Sequence, residues 1–311
     1  MSVPPFVTLP TGVRRARIET SRGTFAALEA LPGSRPPERR PALLVPGYTG
    51  SKEDFIAMLP ALTEAGRRVI AIDQRGQYET PGSDDPAAYT CAALGADITS
   101  LLEKITRDDP GRVHVLGHSF GGLVTREAVI ADPSPVASLT LMGSGPAALG
   151  EPSASKARTL IDALAVFQLA QIWDGFLGPQ AATDGLTPDV IAFLRKRMVG
   201  NSPTALTCMG QELMSTPDRV DRLAKVIAEA GLSALVLFGE NDDAWEPSVQ
   251  AAMANRLEAH KVVIPGAAHS PAAEAPEITA TALTTFWNEA ERHTHPPAPS
   301  SSAPQEPSPS A

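Results

Sequence analysis

The chain has 311 residues, 43% of them hydrophobic and 20% charged, which is typical of a soluble globular protein. Its formal net charge of −9 argues against a surface that binds nucleic acid or an anionic membrane. No window holds the ~20 apolar residues that a membrane span requires, and the opening MSVPPFVTLP lacks the apolar stretch of a secretory signal. Cys91 and Cys208 are far apart and form no C-x-x-C motif. We therefore expect a cytoplasmic protein with two reduced thiols.

Short apolar runs recur along the chain, and each ends at a glycine or a polar turn. After an opening hairpin over residues 16–31, with Arg22 and Gly23 at its turn, they read ALLVPG, RRVIAIDQRG, RVHVLGHS, SLTLMGSG, ALVLFGEND and KVVIPGAAHS. Continuous apolar runs are typical of parallel strands that are covered on both faces. Helical patterns such as KEDFIAMLPALTEAG and GGLVTREAVIAD follow several of them. This alternation predicts an α/β fold with a doubly wound, mostly parallel sheet.

One interval breaks the alternation and defines the predicted domains. Residues 146–232 contain helical patterns but no convincing strand, so we interpret them as a helical cap inserted over the sheet. The cap divides the core into residues 1–145 and 233–292. Residues 293–311 are rich in proline and serine, and this composition predicts a disordered tail because it cannot bury enough apolar surface.

A candidate nucleophile lies in the segment HVLGHSFGG, residues 114–122. Ser119 falls between a predicted strand and a predicted helix, which is the context of the G-x-S-x-G nucleophile elbow. Gly117 and Gly121 allow the strand and the helix to approach each other closely. A glycine-rich structural turn is the alternative. Since chemistry in α/β sheets collects beyond the carboxyl ends of the strands, we expect Ser119 to be catalytic.

A serine nucleophile needs a base, and the chain has six histidines. His269 lies on the loop after the final strand, at the carboxyl edge of the sheet, where it can act first as general base and then as acid. A surface histidine without a role is the alternative. His118 is adjacent to Ser119 on the elbow, and we expect it to point away from the hydroxyl.

The third member of the triad must accept a hydrogen bond from the imidazole. The loop after ALVLFG offers four candidates: Glu240, Asn241, Asp242 and Asp243. We choose Asp242, three residues past Gly239, and keep Asp243 as the fallback. The segment LMGSGPAALG, after the preceding strand, contains no carboxylate and therefore strengthens this choice.

Backbone amides are the expected oxyanion donors. One should come from the loop LLVPGYTGSKEDF after the first parallel strand, and the other from the residue that follows the nucleophile. We assign the N–H groups of Tyr48 and Phe120. The alternative is that this segment is a Gly–Pro turn that plays no role in catalysis.

Over about residues 15–292 the chain resembles the α/β-hydrolase superfamily. Five segments carry the resemblance and occur in the order typical of that superfamily: VPGYTGSKEDF, AIDQRG, GHSFGG, GENDD and PGAAHS. The resemblance implies an eight-stranded, mostly parallel sheet, a helical cap after the sixth strand, and a Ser-His-Asp hydrolase that needs no cofactor. DQRGQYETPG is similar to the D-x-R-G-x-G-x-S stretch of these enzymes, and we interpret Asp73 and Arg75 as structural. Pro46 stands where small bacterial carboxylesterases commonly have histidine. Haloalkane dehalogenases and epoxide hydrolases of this fold use aspartate at the elbow, and Ser119 argues against both.

The cap is rich in large apolar side chains, which at helical spacing more often form a core than a substrate wall. They are Phe167, Trp173, Phe176, Phe193, Met198 and Met214. Trp245 follows residues 240–243, which contain the candidate acids and which we call the acid loop. His118, Trp173 and Trp245 are our candidates for the pocket, which we expect to take an apolar acyl or alkyl group. Neither a metal-binding nor a nucleotide-binding motif is found, so we expect no metal and no cofactor.

These observations predict a serine hydrolase that cleaves carboxylic esters of small, largely apolar substrates through an acyl-enzyme. Several alternatives use the same triad, namely a cofactor-free perhydrolase or haloperoxidase-like enzyme, a lactonase and an acyltransferase. A hydrolase fold that binds a ligand without turnover is an alternative from another class. The expected partner is a small ester, not a nucleic acid or a membrane.

Overall fold

The structure, a computed structural model, describes residues 2–33 and 39–294 and contains one open sheet of eight strands. The strands are β1 (Val13–Thr20), β2 (Gly23–Ala30), β3 (Arg39–Val45), β4 (Arg67–Ile72), β5 (Val113–His118), β6 (Val136–Met142), β7 (Ser233–Gly239) and β8 (His260–Ile264). Their order is β1-β2-β4-β3-β5-β6-β7-β8. Strands β3 to β8 pair in parallel, whereas β1 pairs antiparallel with β2 and β2 with β4. The predicted fold class is confirmed.

Twelve α-helices lie in the described ranges. They are α1 (Leu59–Glu64), α2 (Cys91–Asp108), α3 (Phe120–Ala131), α4 (Ser153–Leu164), α5 (Leu169–Ile172), α6 (Gly178–Thr183), α7 (Pro188–Gly200), α8 (Pro203–Ser215), α9 (Val220–Ala230), α10 (Pro247–Arg256), α11 (Pro271–Glu274) and α12 (Pro276–Thr294). Within these ranges no helix combines the length and the apolarity needed to cross a membrane.

Alternate residues of the central strands pack against helices on opposite faces of the sheet. In β3, Leu43 and Val45 belong to the core that includes α2 and α3. Ala42 and Leu44 belong to the core that includes α1 and α12. Because both faces of β3 are covered, both sets of side chains are apolar, which accounts for the continuous apolar run in the sequence.

The chain between β6 and β7 is helical, but its helices do not all pack alike. The buried side chains of α5 and α7, including Leu169 and Leu194, form a separate apolar cluster. The buried side chains of α9, including Leu223, join the main core beside α2 and α3. Helix α8 contributes to both, with Met209 in the main core and Leu206 in the separate cluster. We refer to α4–α8 as the cap. The tail expected over 293–311 lies outside the described residues from position 295 onward, and α12 ends at Thr294.

The turn from β5 to α3 brings three backbone segments closer together than a Cβ atom would allow. A Cβ on Gly117 would lie 2.3 Å from the Gly121 carbonyl oxygen. A Cβ on Gly121 would lie 2.5 Å from the carbonyl oxygens of Val45 and Pro46. Since the nearest atoms belong to backbone, they have little freedom to move away. Glycine is therefore required by contact at both positions.

We predict that Gly121→Ala lowers the free energy of unfolding by more than about 2 kcal/mol, because the added methyl group forces β3 and α3 apart. Gly150→Ala is the matched control, since a Cβ there meets nothing within 4 Å. The control should change the free energy of unfolding by less than about 1 kcal/mol. Urea denaturation measures both, and equal losses in the two variants would contradict the argument.

Candidate active site

Ser119 occupies a sharp turn between β5 and α3, at the carboxyl edge of the sheet. Its φ of 55° and ψ of −121° lie in a region that residues with a side chain rarely adopt. Its N–H donates to the Met142 carbonyl at 2.8 Å, which ties the turn to β6. The Ser119 hydroxyl makes no cap hydrogen bond to α3 and therefore remains available to another partner.

His269 and Asp242 complete a chain of hydrogen bonds that begins at this hydroxyl. The Ser119 Oγ lies 2.9 Å from His269 Nε2, and His269 Nδ1 lies 3.0 Å from Asp242 Oδ1. A carboxylate can only accept, so Nδ1 carries the proton and Nε2 accepts from the serine hydroxyl. The structure thus brings the three predicted triad residues together in the order that proton abstraction from serine requires.

Asp242 is buried and is held by core residues. The Ala244 N–H donates to Oδ1 at 2.9 Å, and Gln250 Nε2 donates to Oδ2 at 2.9 Å. Burial by itself raises the pKa of Asp242, but hydrogen bonds from His269, Ala244 and Gln250 outweigh it and hold the pKa below the ordinary value. The carboxylate therefore stays ionised and keeps the imidazole in the tautomer described above.

The fallback residue, Asp243, makes no hydrogen bond to the imidazole within the described part of the chain. Its carboxylate pairs with Lys156 Nζ at 2.7 Å in a contact that is largely exposed on both sides. Gln250 was not predicted from the sequence, because a glutamine in a surface-facing helical pattern gives no signal of a carboxylate partner. Its relevance follows only from the packing of α10 beneath the acid loop.

Two further residues hold the backbone on either side of the His269 side chain. His118 Nε2 donates to the His269 carbonyl oxygen at 2.8 Å. The Glu274 carboxylate accepts from the N–H groups of Ala268 and Ser270. Burial lowers the pKa of His118 to about 3, and the neighbouring His269 adds to this effect. His118 is therefore neutral near pH 7, and Glu274 is a loop anchor that the sequence analysis missed.

The loop after β3 passes directly beside the serine. A Cβ on Gly47 would lie 2.8 Å from Ser119 Cβ and 3.3 Å from its Oγ. The next amide, that of Tyr48, donates no hydrogen bond within the described part of the chain. The Phe120 amide lies in the first turn of α3, where N–H groups have no intrahelical acceptor and the helix dipole favours negative charge. Both predicted oxyanion donors thus have N–H groups without an acceptor within the described residues. Phe120 follows the serine directly, and Tyr48 belongs to the loop that contacts it.

The neighbouring DQRG segment supports the same region of the core. Asp73 accepts from the backbone N–H of Lys52 at 2.8 Å and from its Nζ at 2.7 Å. Arg75 binds both carboxylate oxygens of Asp97. Neither side chain is among those that line the cavity described next.

A cavity of about 610 Å³ opens above Ser119 and His269. Apolar side chains, most of them from the cap, form much of its wall: Leu149, Ala157, Leu160, Ala163, Ile172, Phe176, Leu177, Met198 and Leu213. His118 also contributes to the wall. Trp173 and Trp245, the other two pocket candidates, do not. Trp173 packs in the apolar cluster of the cap, and Trp245 is buried with its indole N–H directed at the Ala147 carbonyl.

The sheet is open, mostly parallel and eight-stranded, and it carries a hydrogen-bonded serine, histidine and aspartate at its carboxyl edge. This is the arrangement of an α/β hydrolase. The family model described as "Alpha/beta hydrolase family" matches residues 42–282, and the chain belongs to this family.

Individual relatives are similar over only part of their length. The chain is 37% identical to "Putative carbamate hydrolase RutD" of Variovorax paradoxus over 123 residues, which is 40% of this chain and 43% of that protein. It is 32% identical to epoxide hydrolase B of Mycobacterium tuberculosis over 109 residues, 35% of this chain and 29% of that protein. The chain thus matches less than half the length of these curated relatives.

Solved structures match over most of the chain. A hydrolase from Pseudomonas aeruginosa is 25% identical with a TM-score of 0.69, and the alignment covers 89% of this chain and 99% of that one. A thermophilic esterase from Thermogutta terrifontis is 23% identical with a TM-score of 0.69 over the same shares of the two chains. The second likeness concerns the fold alone.

We predict that the buried, neutral His118 makes the protein less stable in mild acid. The unfolded state takes up a proton below about pH 6.5, whereas the folded state resists protonation down to about pH 3. His118→Gln retains a donor for the His269 carbonyl but cannot titrate. Its loss of unfolding free energy between pH 7.5 and pH 5 should be smaller than that of the native protein by about 2 kcal/mol. Urea titrations at the two pH values test this, and equal losses would contradict it.

Proposed function

We propose that the protein is a serine hydrolase that cleaves carboxylic esters of small, largely apolar substrates through an acyl-enzyme intermediate. The observation that carries the proposal is the position of the His269 imidazole. It bridges the Ser119 hydroxyl and the buried Asp242 carboxylate at the floor of an apolar cavity. Membership of a hydrolase family supports a small-molecule substrate.

In the proposed first step, Ser119 Oγ attacks the ester carbonyl carbon while His269 Nε2 takes the hydroxyl proton. The carbonyl π electrons move to oxygen and form a tetrahedral oxyanion. As this intermediate collapses, the bond to the leaving oxygen breaks, and the imidazolium returns its proton to the departing alcohol. Asp242 stabilises the imidazolium and fixes its orientation.

In the second step, water replaces the alcohol. His269 accepts a proton from the water as it attacks the acyl carbon. When the second tetrahedral intermediate collapses, the bond between the acyl carbon and Ser119 Oγ breaks, the imidazolium returns its proton to Oγ, and the carboxylic acid leaves. The amides of Tyr48 and Phe120 donate to the oxyanion in both steps. These donors are most effective where the developing charge is shielded from water, as under the apolar wall of the cap.

The nature of the cavity favours acyl or alkyl groups over charged ones. Its cap side is formed mainly by aliphatic side chains, and Lys156, a cation on its wall, is already paired with Asp243. The similarity to an epoxide hydrolase covers about a third of the chain, and a serine stands here at the elbow position. A hydroxyl nucleophile supports acyl transfer.

We predict that Ser119→Ala lowers kcat for p-nitrophenyl butyrate by more than about 10³-fold, because no acyl-enzyme can form. Its thermal midpoint should stay close to that of the native protein, since alanine retains the Cβ at the same strained backbone position. A fluorophosphonate should label the native chain once, at Ser119, and should not label the variant. Tight ester binding without turnover or labelling would instead indicate a non-catalytic binding protein.

We predict that Asp242→Asn lowers kcat by about 10³- to 10⁴-fold, because the asparagine can donate to Nδ1 and thereby favours the wrong tautomer. Asp243→Asn is the matched control, since it makes the same change one residue away on a side chain that faces Lys156. Its kcat should remain within about fivefold of the native value. Similar losses of kcat in both variants would show that kcat depends on the integrity of the loop and not on the Asp242 carboxylate.

A further inference from the structure

We propose that Gln77 is a positioning residue that orients the Tyr48 N–H toward the oxyanion. This inference rests on the proposed function, and it assigns a role to a residue outside the triad. Gln77 belongs to the DQRG-containing turn and is completely buried beneath the loop that follows β3. It does not line the cavity and cannot touch substrate.

Two hydrogen bonds hold the Gly47 carbonyl oxygen. Gln77 Nε2 donates to the Gly47 carbonyl oxygen at 2.8 Å, and the Gly50 N–H donates to the same oxygen at 3.1 Å. The Gly47 carbonyl and the Tyr48 N–H belong to one peptide unit, which is planar and trans. The two groups therefore point in opposite directions, and fixing the carbonyl fixes the direction of the N–H.

The orientation of the Gln77 amide is itself determined by its surroundings. Gln77 Oε1 accepts from the backbone N–H of Gln74 at 3.0 Å, so the other end of the amide must be the NH₂ group. The backbone of the turn is also closed, because the Gln77 N–H donates to the Gln74 carbonyl at 2.9 Å. Gln77 is thus a donor with a fixed position.

The side chain of Tyr48 is held by α8. Its hydroxyl donates to the Leu206 carbonyl of α8 at 2.8 Å, and a Cβ on Gly210 would lie 2.8 Å from the same hydroxyl oxygen. With its carbonyl side fixed by Gln77 and its side chain fixed by the cap, the Gly47–Tyr48 peptide has little rotational freedom. A donor that is oriented in advance needs no reorganisation as charge develops, and this is the main source of its catalytic effect.

The chain provides a matched control in Gln74. Its Nε2 donates to the Pro46 carbonyl at 2.8 Å, which is the same kind of bond one peptide earlier. That peptide carries the Gly47 N–H and not the Tyr48 N–H. Both glutamines are buried, so either substitution places a methionine side chain of similar length in the interior.

The test compares Gln77→Met with Gln74→Met in the full chain, using p-nitrophenyl butyrate. We expect Gln77→Met to lower kcat by about 10- to 100-fold with KM within about threefold, because a misaligned donor weakens only the transition state. The affinity for an alkyl trifluoromethyl ketone, whose adduct carries the oxyanion, should fall by the same factor as kcat. The affinity for the matching methyl ketone should not change. For Gln74→Met we expect a kcat within about threefold of the native value.

If Gln77→Met does not fold, Gln77→Glu replaces it, since glutamate has the same shape and keeps the acceptor for the Gln74 N–H. An unchanged kcat and ketone affinity in a folded Gln77 variant overturns this inference, and so does an equal loss in Gln74→Met. The proposed function survives both outcomes, because the native protein remains an esterase. If the native protein neither hydrolyses the ester nor reacts with a fluorophosphonate, the proposed function fails and this inference fails with it.

Discussion

The site depends on a backbone contact that only glycine permits. At Gly47, Gly117 and Gly121 the loop after β3, the end of β5 and the start of α3 meet at distances that exclude a side chain. This contact places the Ser119 hydroxyl beside a loop with a free amide and directs it away from the sheet. The positive φ of Ser119 is unfavourable, and it persists because β6 and α3 hold the turn on both sides. The strain is therefore a consequence of packing that also positions the hydroxyl.

Two buried titratable residues flank the His269 imidazole. Burial disfavours the charged form of both, but only His118 is neutral. Asp242 remains ionised because several N–H groups donate to it, which more than offsets the loss of water. His118 receives no comparable stabilisation of its charged form and is neutral near pH 7. In the proposed mechanism this difference matters, because a second positive charge beside the imidazolium would disfavour proton abstraction. One negative and one neutral neighbour favour a base that becomes charged during the reaction.

The sequence predicted the sheet correctly because strands covered on both faces leave an unmistakable apolar run. It also predicted which residues meet, since Ser119, Asp242 and His269 each follow a strand whose carboxyl end lies at the same edge. Their catalytic roles remain predictions. The contacts of Gln77, Gln250 and Glu274 were not predicted, since each side chain hydrogen-bonds groups whose positions depend on tertiary packing. Trp173 and Trp245 were predicted to line the pocket, and they do not. Helical spacing cannot distinguish an aromatic residue in a buried core from one on a cavity wall.

The hydrogen bonds between α4 of the cap and the loop that follows β7 do not involve the Asp242 carboxylate. Ser153 and Lys156 of α4 reach the acid loop, but they bind the backbone and carboxylate of Asp243. The hydrogen bonds that hold Asp242 come from α10 and from its own loop and involve no cap residue. The exposed Lys156–Asp243 pair contributes little to stability, so breaking this pair costs little energy. Because neither α4 contact involves the Asp242 carboxylate, a rearrangement of α4 leaves in place the hydrogen bonds that orient the imidazole.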